Sequence, residues 1–193
     1  MSEAKNNDLL LVIDMQNIYL PDEEWACPSM PDASRAIRNL IDSGKVGNVL
    51  FTQYLAPENP QGRWKVYNET YRETNEDPYL CAITDEFLPY LDRYPLEVKS
   101  TFSCFKQENI LKAAKQADHV LLSGVVAECC VLSTMMEGID FGIPLIYLTD
   151  CCSGQTPEKE ELVKVIASNS DPVHLSVMTS AEYLSTLPGA AGL

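Results

Sequence analysis

The stretch His119-Val-Leu-Leu-Ser123-Gly124-Val-Val-Ala-Glu-Cys-Cys130-Val131 decides the fold. Its apolar first half reads as a buried strand, and Gly124 marks a turn. Val131, Leu132, Met135, Met136 and Ile139 then recur at helical spacing until Gly142 and Pro144 stop the helix. Cys130 falls one turn into that helix, where unpaired N–H groups and the positive end of the helix dipole depress a thiol's pKa. Taken alone, a free cysteine is more often a small buried hydrophobe, so its partners must decide.

Working outward, apolar runs rich in β-branched residues alternate with helical patterns, the mark of an α/β domain with a parallel sheet covered on both faces. Strands are expected at Leu9–Asp14, Val46–Thr52, Leu96–Lys99, Val120–Ser123, Pro144–Leu148 and Val173–Ser176. Helices are expected at Ala33–Ser43, Ile83–Leu91, Glu108–Gln116, Glu128–Phe141, Pro157–Ser168 and Ala181–Leu187. Between the second and third strands, Ala56–Tyr79 breaks the alternation with Pro57, Pro60, Trp64, Tyr67 and Tyr71. It reads as a long loop over the carboxyl edge of the sheet, either walling a pocket or packing its own aromatics.

The 193 residues suit one domain, 1–193. A net charge of −14, from 14 basic and 28 acidic residues, repels phosphate backbones, so no nucleic-acid partner is expected. No apolar run approaches the ~20 residues of a membrane span, so no membrane association is expected. Seven cysteines without a secretory leader point to reduced thiols and a cytoplasmic protein. Neither Cys129-Cys130 nor Cys151-Cys152 has the Cys-x-x-Cys spacing of a redox motif, and no glycine-rich phosphate loop occurs.

Ligands of open parallel sheets bind beyond the carboxyl ends of the strands. Asp14 ends the first strand, Lys99 ends the third and Cys130 follows the fourth. A carboxylate to take the thiol proton, an ammonium to stabilise the thiolate and a nucleophilic sulfur form a working set. Each also has an ordinary reading: Asp14 could cap the Gln16–Tyr19 turn, and Lys99 could be a solvated strand-end lysine.

Over nearly its whole length the chain resembles the isochorismatase-like cysteine hydrolases, which include nicotinamidases and N-carbamoylsarcosine amidohydrolases. The resemblance rests on Val12-Ile-Asp14-Met-Gln-Asn17 with Tyr19, on Lys99 followed by Phe102-Ser103, and on Gly124-Val-Val-Ala-Glu-Cys-Cys130-Val131. It implies a three-layer α/β/α fold whose six-stranded, mainly parallel sheet runs in the order 3-2-1-4-5-6. It also implies an Asp14-Lys99-Cys130 triad, a cis Val125–Val126 bond, and an oxyanion hole from the N–H groups of Val126 and Cys130. Small-molecule hydrolysis and a homo-oligomer, dimer or tetramer, are implied too.

The chain departs from the pattern in two places. Nicotinamidases hold a metal with Asp-x-His after the second strand, and here Tyr54-Leu55-Ala56 stands there, with His119 and His174 the sole histidines. No metal and no cofactor are therefore expected. Isochorismatases proper protonate a vinyl ether with the aspartate and need no cysteine at this position. The presence of Cys130 favours hydrolysis of a C–N bond in a small amide, ureido or carbamoyl compound. A vinyl-ether hydrolase using Asp14 alone, and a non-catalytic binding scaffold on the same fold, are the alternatives. Substrate contacts are expected from Tyr19, Gln53, Tyr54, Trp64 and Phe102. Cys151 and Cys152 are expected at the crevice edge, and Asp150 as a turn cap.

Overall fold

The computed structural model describes residues 6–188. Six strands, β1 (Leu9–Ile13), β2 (Asn48–Tyr54), β3 (Leu96–Lys99), β4 (Val120–Val125), β5 (Leu145–Ser153) and β6 (Leu175–Met178), form one sheet. Their order is β3-β2-β1-β4-β5-β6, and every neighbouring pair is parallel. All of β1 and β4 is buried, as a sheet covered on both faces requires.

Alternation along β1 sorts its side chains between two cores. Leu9, Leu11 and Ile13 join Ile110, Met135 and Val163, which come from α6 (Glu108–Ala114), α7 (Leu132–Asp140) and α8 (Pro157–Ser168). Leu10 and Val12 join Ile37, Leu40 and Tyr183, from α1 (Met30–Asp42) and α9 (Ser180–Thr186). The result is the three-layer α/β/α arrangement. The chain leaves β1 toward β2 on one side and enters β4 on the other, so a crevice opens beyond the carboxyl ends of β1 and β4.

Three expected elements change. The Ala56–Tyr79 segment is largely helical: α2 (Trp64–Thr70), α3 (Arg72–Glu76) and α4 (Pro78–Cys81) follow one another. Asp77 caps α4 by accepting from Tyr79 N at 2.8 Å and Leu80 N at 3.1 Å, and Pro78 supplies a preset first turn. The expected helix at Ile83–Leu91 shrinks to a 3₁₀ turn at Asp85–Phe87 and α5 (Leu88–Leu91). β5 runs on to Ser153 because its register with β4 slips between Leu122, opposite Tyr147, and Gly124, opposite Cys152. Cys151 and Cys152 are thereby core residues on opposite faces of the sheet rather than crevice-edge thiols.

Gly124 is required where it stands. Its φ is 106°, and a Cβ there would lie 2.1 Å from the Ile13 carbonyl oxygen. Only glycine lets β4 approach β1 this closely at the point where both strands deliver their functional side chains.

Candidate active site

Asp14 follows β1 with φ 51°, a left-handed conformation that aspartate tolerates better than most residues. The turn it makes, with Gln16 N donating to Asp14 O at 2.7 Å, ends the strand. Its carboxylate is fully buried. Thr52, in the middle of β2, donates to Asp14 Oδ1 at 2.7 Å, and Lys99 Nζ lies 2.6 Å from Oδ2. Oδ1 thus accepts from Thr52 while Oδ2 faces the ammonium in a close ion pair.

Lys99 starts two strands away. Its register partner is Tyr54, and its stem crosses the end of β2 with Nζ 5.5 Å from the Tyr54 ring centroid. Nζ donates to Thr101 O at 3.0 Å and toward Cys130 Sγ at 3.5 Å. Burial works against its ammonium, but Asp14 first and Cys130 next outweigh burial, and its pKa moves up. The carboxylate, ammonium and thiol named from sequence therefore meet in one cluster.

Cys130 sits in a wide π-type turn, Ala127–Val131, ahead of α7, where Val126 O accepts from both Cys129 N and Val131 N. The Val125–Val126 peptide bond before it is cis. The expected depression of the Cys130 pKa is reversed. Burial pushes the thiol well up, Lys99 counters it, and Asp14 adds to the rise. Magnitudes explain the reversal: a helix terminus contributes ~0.3–1 kcal/mol, less than one pKa unit, whereas full burial moves a group by up to about 3–5 units. In the resting cluster the proton belongs on sulfur. The neighbouring Cys104 thiol is likewise pushed by burial to about 11, with Lys99 opposing.

Cys130 is 3% exposed, and a cluster of aromatic rings gathers on this side of the sheet. Trp64 packs edge-on against Phe102 at 5.1 Å and against Tyr67 at 5.2 Å. Tyr67 contacts Tyr71 at 4.9 Å, and Trp25, from the connection between β1 and α1, contacts Tyr71 at 5.3 Å and Tyr19 at 6.1 Å. Burial raises the Tyr19 and Tyr67 phenols, and Cys130 is among the groups that add to each rise. Burial also pushes Tyr54 up to about 12, with Lys99 opposing. Of the substrate contacts expected from sequence, Tyr19, Tyr54, Trp64 and Phe102 belong to this cluster or lie beside it. Gln53 instead spends its amide on Cys81 O at 2.9 Å.

Sequence reading missed Thr52, Trp25, Tyr67 and Tyr71 as site residues, and Gln16 as their scaffold. Gln16 Nε2 donates to Tyr54 O at 3.0 Å and Cys81 O at 2.7 Å, while its Oε1 accepts from Tyr54 N at 2.8 Å. This amide clamps the end of β2 to the helical segment. The Trp64, Tyr67 and Tyr71 spacing of three and four residues was the available signal for a helical face.

The site does not suit a metal ion. Tyr54 stands at the end of β2, and among the described residues no three His, Cys, Asp or Glu side chains converge as ligands. His119 precedes β4 at the opposite edge of the sheet, 3.0 Å from Asp8 Oδ1, and Tyr183 donates to Asp8 Oδ2 at 2.7 Å. His174 is exposed ahead of β6. Asp150 accepts from Ser180 N at 2.7 Å and Ser180 Oγ at 2.6 Å, anchoring the start of α9.

Comparison with known proteins now adds to this geometry. The isochorismatase domain family model matches residues 8–177. No curated protein matches. A cysteine hydrolase from Pseudomonas syringae pv. phaseolicola is similar in structure with TM-score 0.80 at 17% identity, over 98% of this chain and 100% of that one. N-carbamoylsarcosine amidase from Thermoplasma acidophilum is similar with TM-score 0.67 at 20% identity, over 90% and 96%. A zinc complex of pyrazinamidase from Pyrococcus horikoshii is similar with TM-score 0.62 at 19% identity, over 90% and 99%.

Proposed function

The chain belongs to the isochorismatase family of hydrolases, and from that premise we propose that it is a metal-independent cysteine amidohydrolase. It cleaves the C–N bond of a small amide, ureido or carbamoyl compound through an acyl intermediate on Cys130. The observation that carries the reading is the Cys130 sulfur 3.5 Å from Lys99 Nζ, which lies 2.6 Å from Asp14 Oδ2.

Proton inventory makes the cluster workable. With carboxylate, ammonium and neutral thiol, its net charge is zero. Moving the thiol proton to Asp14 leaves carboxylic acid, ammonium and thiolate, again zero. The buried cluster thus gains a nucleophile without gaining a net charge, and Lys99 exchanges a carboxylate partner for a thiolate partner. The thiolate attacks the substrate carbonyl carbon, and the N–H groups of Val126 and Cys130 hold the oxyanion. The C–N bond breaks as Asp14 returns its proton to the leaving nitrogen. Asp14 then takes a proton from water, whose oxygen attacks the acyl carbon and releases the sulfur as thiolate; the proton on Asp14 then returns to it.

An ammonia-release screen over small primary amides and ureido acids tests the reading. Turnover by the natural chain, none by Cys130→Ser, and an acyl mass increment on Cys130 are expected. Turnover without any adduct, and equal in the variant, would refute it.

Thr52 has a positioning part. It occupies Asp14 Oδ1 and leaves Oδ2 for the proton. Thr52→Val should leave a buried oxygen without its donor, costing about 1–3 kcal/mol of stability. It should also lower kcat with KM unchanged, while Thr52→Ser restores both. Equal kcat in Thr52→Val and the natural chain would remove Thr52 from the mechanism.

A further inference from the structure

A cavity opens at the amino edge of the sheet, opposite the edge that carries Asp14, Lys99 and Cys130. Leu9 and Leu50, near the starts of β1 and β2, form its floor, and Pro95, Ala113 and Ala117 wall it. The sequence explains the gap. Only α6, 7 residues long, closes this corner of the sheet, and Ala113 and Ala117 pack against the core with side chains too short to fill the space. The volume is about 500 Å³, within the ~300–1,000 Å³ of small-molecule sites, which likewise combine an apolar lining with a few polar groups.

Arg93 is the sole charged residue lining this cavity, in a chain whose 28 acidic residues outnumber its 14 basic ones. Arg35, Arg38 and Arg72 each pair with a carboxylate, and among the described residues Arg93 pairs with none. Its guanidinium carbon instead lies 5.5 Å from the Tyr90 ring centroid and 5.3 Å from that of Tyr94. Ring contacts of this kind position a guanidinium without using its N–H donors. The side-chain amides of Asn48 and Gln116 also line the cavity and make no hydrogen bond among the described residues. At the end of α6 the carbonyls of Leu111, Ala113 and Ala114 accept from Lys115 N, Gln116 N and Ala117 N, so the negative end of that helix is taken up by its own backbone.

We propose that this cavity binds a small carboxylate with an apolar body. The guanidinium of Arg93 takes the carboxylate through paired N–H donors, the amides of Asn48 and Gln116 donate to its remaining lone pairs, and the body lies on Leu9, Leu50 and the alanines of α6. A neutral molecule of the same shape leaves Arg93 unpaired, and a cation is repelled by it. Inorganic phosphate fits poorly, because one guanidinium leaves part of its charge uncompensated on a chain of net charge −14 and the apolar floor offers its oxygens no donor. The site is separate from the catalytic cluster, and the proposal stands independently of acylation at Cys130.

Benzoate, benzyl alcohol and inorganic phosphate are the probes, each titrated into isotope-labelled protein and followed by nuclear magnetic resonance. The backbone amides of Asn48, Leu50, Ala113 and Ala117 report this cavity, and those of Val126 and Val131 report the catalytic cluster. Benzoate should move the first set saturably and bind at least about tenfold more tightly than either of the other probes. Arg93→Met should weaken benzoate at these signals by about tenfold or more, a difference of ~1.4 kcal/mol. Arg93 is exposed, so the fold should keep its form. If that variant does not fold, Ala117→Leu, which fills the cavity from α6 without altering charge, should abolish the shifts.

Benzyl alcohol or phosphate binding as tightly as benzoate overturns the proposal, the first by removing the charge and the second by removing the apolar body from recognition. Absence of any saturable shift overturns it too, as does a folded Arg93→Met with unchanged affinity. Benzoate that moves only Val126 and Val131 would overturn it and place the carboxylate at the catalytic cluster. These shifts without ammonia release from any amide would sink the amidohydrolase reading and leave this site standing.

Discussion

Cys130→Ala is expected to abolish the proposed amide turnover, with kcat falling about a millionfold, the scale seen when a lone nucleophile is taken from a triad. The expected size follows from where the other groups sit. Once sulfur is gone, Asp14 and Lys99 remain paired at 2.6 Å, and nothing else in the cluster can bond to carbon. The Cys104 thiol is held above its ordinary range and its Sγ is directed to Thr52 Oγ1 at 3.9 Å, so it does not substitute. Folding should survive, because loss of one buried sulfur leaves only a small void and the Asp14–Lys99 ion pair is kept. Circular dichroism matching the natural chain, with no ammonia released, is the expected pair of results. The same variant separates the chemistry from protonation of a vinyl ether, which needs Asp14 alone. A variant that keeps most of its hydrolytic rate would take the nucleophile out of the mechanism and leave the carboxylate as the working acid.

The parts of this site that could be read in the sequence are those that sit at strand ends. Asp14 and Cys130 follow apolar runs and Lys99 ends the short strand Leu96-Glu-Val-Lys99, so all three fall at the carboxyl edge of the sheet. The reach of Lys99 could not be read from sequence: its stem crosses the end of β2, and only the structure shows Nζ arriving at Asp14. Thr52 gave no such signal: a threonine within Val49-Leu-Phe-Thr-Gln-Tyr54 is what any half-buried strand contains. Its meaning lies in the partner across the sheet, 38 positions away.

The aromatic cluster was hidden for a different reason. Polar residues around Trp64, Tyr67 and Tyr71 mask their helical spacing, and Trp25 joins them from a separate connection. The direction of the Cys130 shift was misread because sequence shows a helix terminus but not how deeply Cys130 is buried. Depth is a property of packing, and here it decides the sign.

That depth has a consequence for the whole fold at alkaline pH. The thiols of Cys27, Cys104, Cys130, Cys151 and Cys152 are all raised, burial being the leading cause in each. In the unfolded chain they ionise near ~8.5. Below that pH both states hold the thiol protons, and stability does not depend on them. Above it the unfolded state releases protons that the folded state retains, so stability falls as pH rises.

Each thiol contributes a slope of at most about 1.4 kcal/mol per pH unit. Five acting together consume, within about two units, a margin comparable to the ~5–15 kcal/mol that holds an ordinary domain. Lys99 adds the same sign later: its raised folded pKa stabilises fully below its unfolded value near ~10.4 and is lost above it.

Thermal melts in the presence of reductant should therefore be flat from pH 6.5 to 8, and then fall steeply to pH 10, by about 2–4 °C for each kcal/mol lost. Cys104→Ala and Cys152→Ala should each make the decline shallower, though each also removes buried volume and lowers the whole curve. A melting temperature unchanged between pH 8 and 10 would mean that these sulfurs ionise as readily inside the fold as outside it. The proton on Cys130 would then not need Asp14 to remove it.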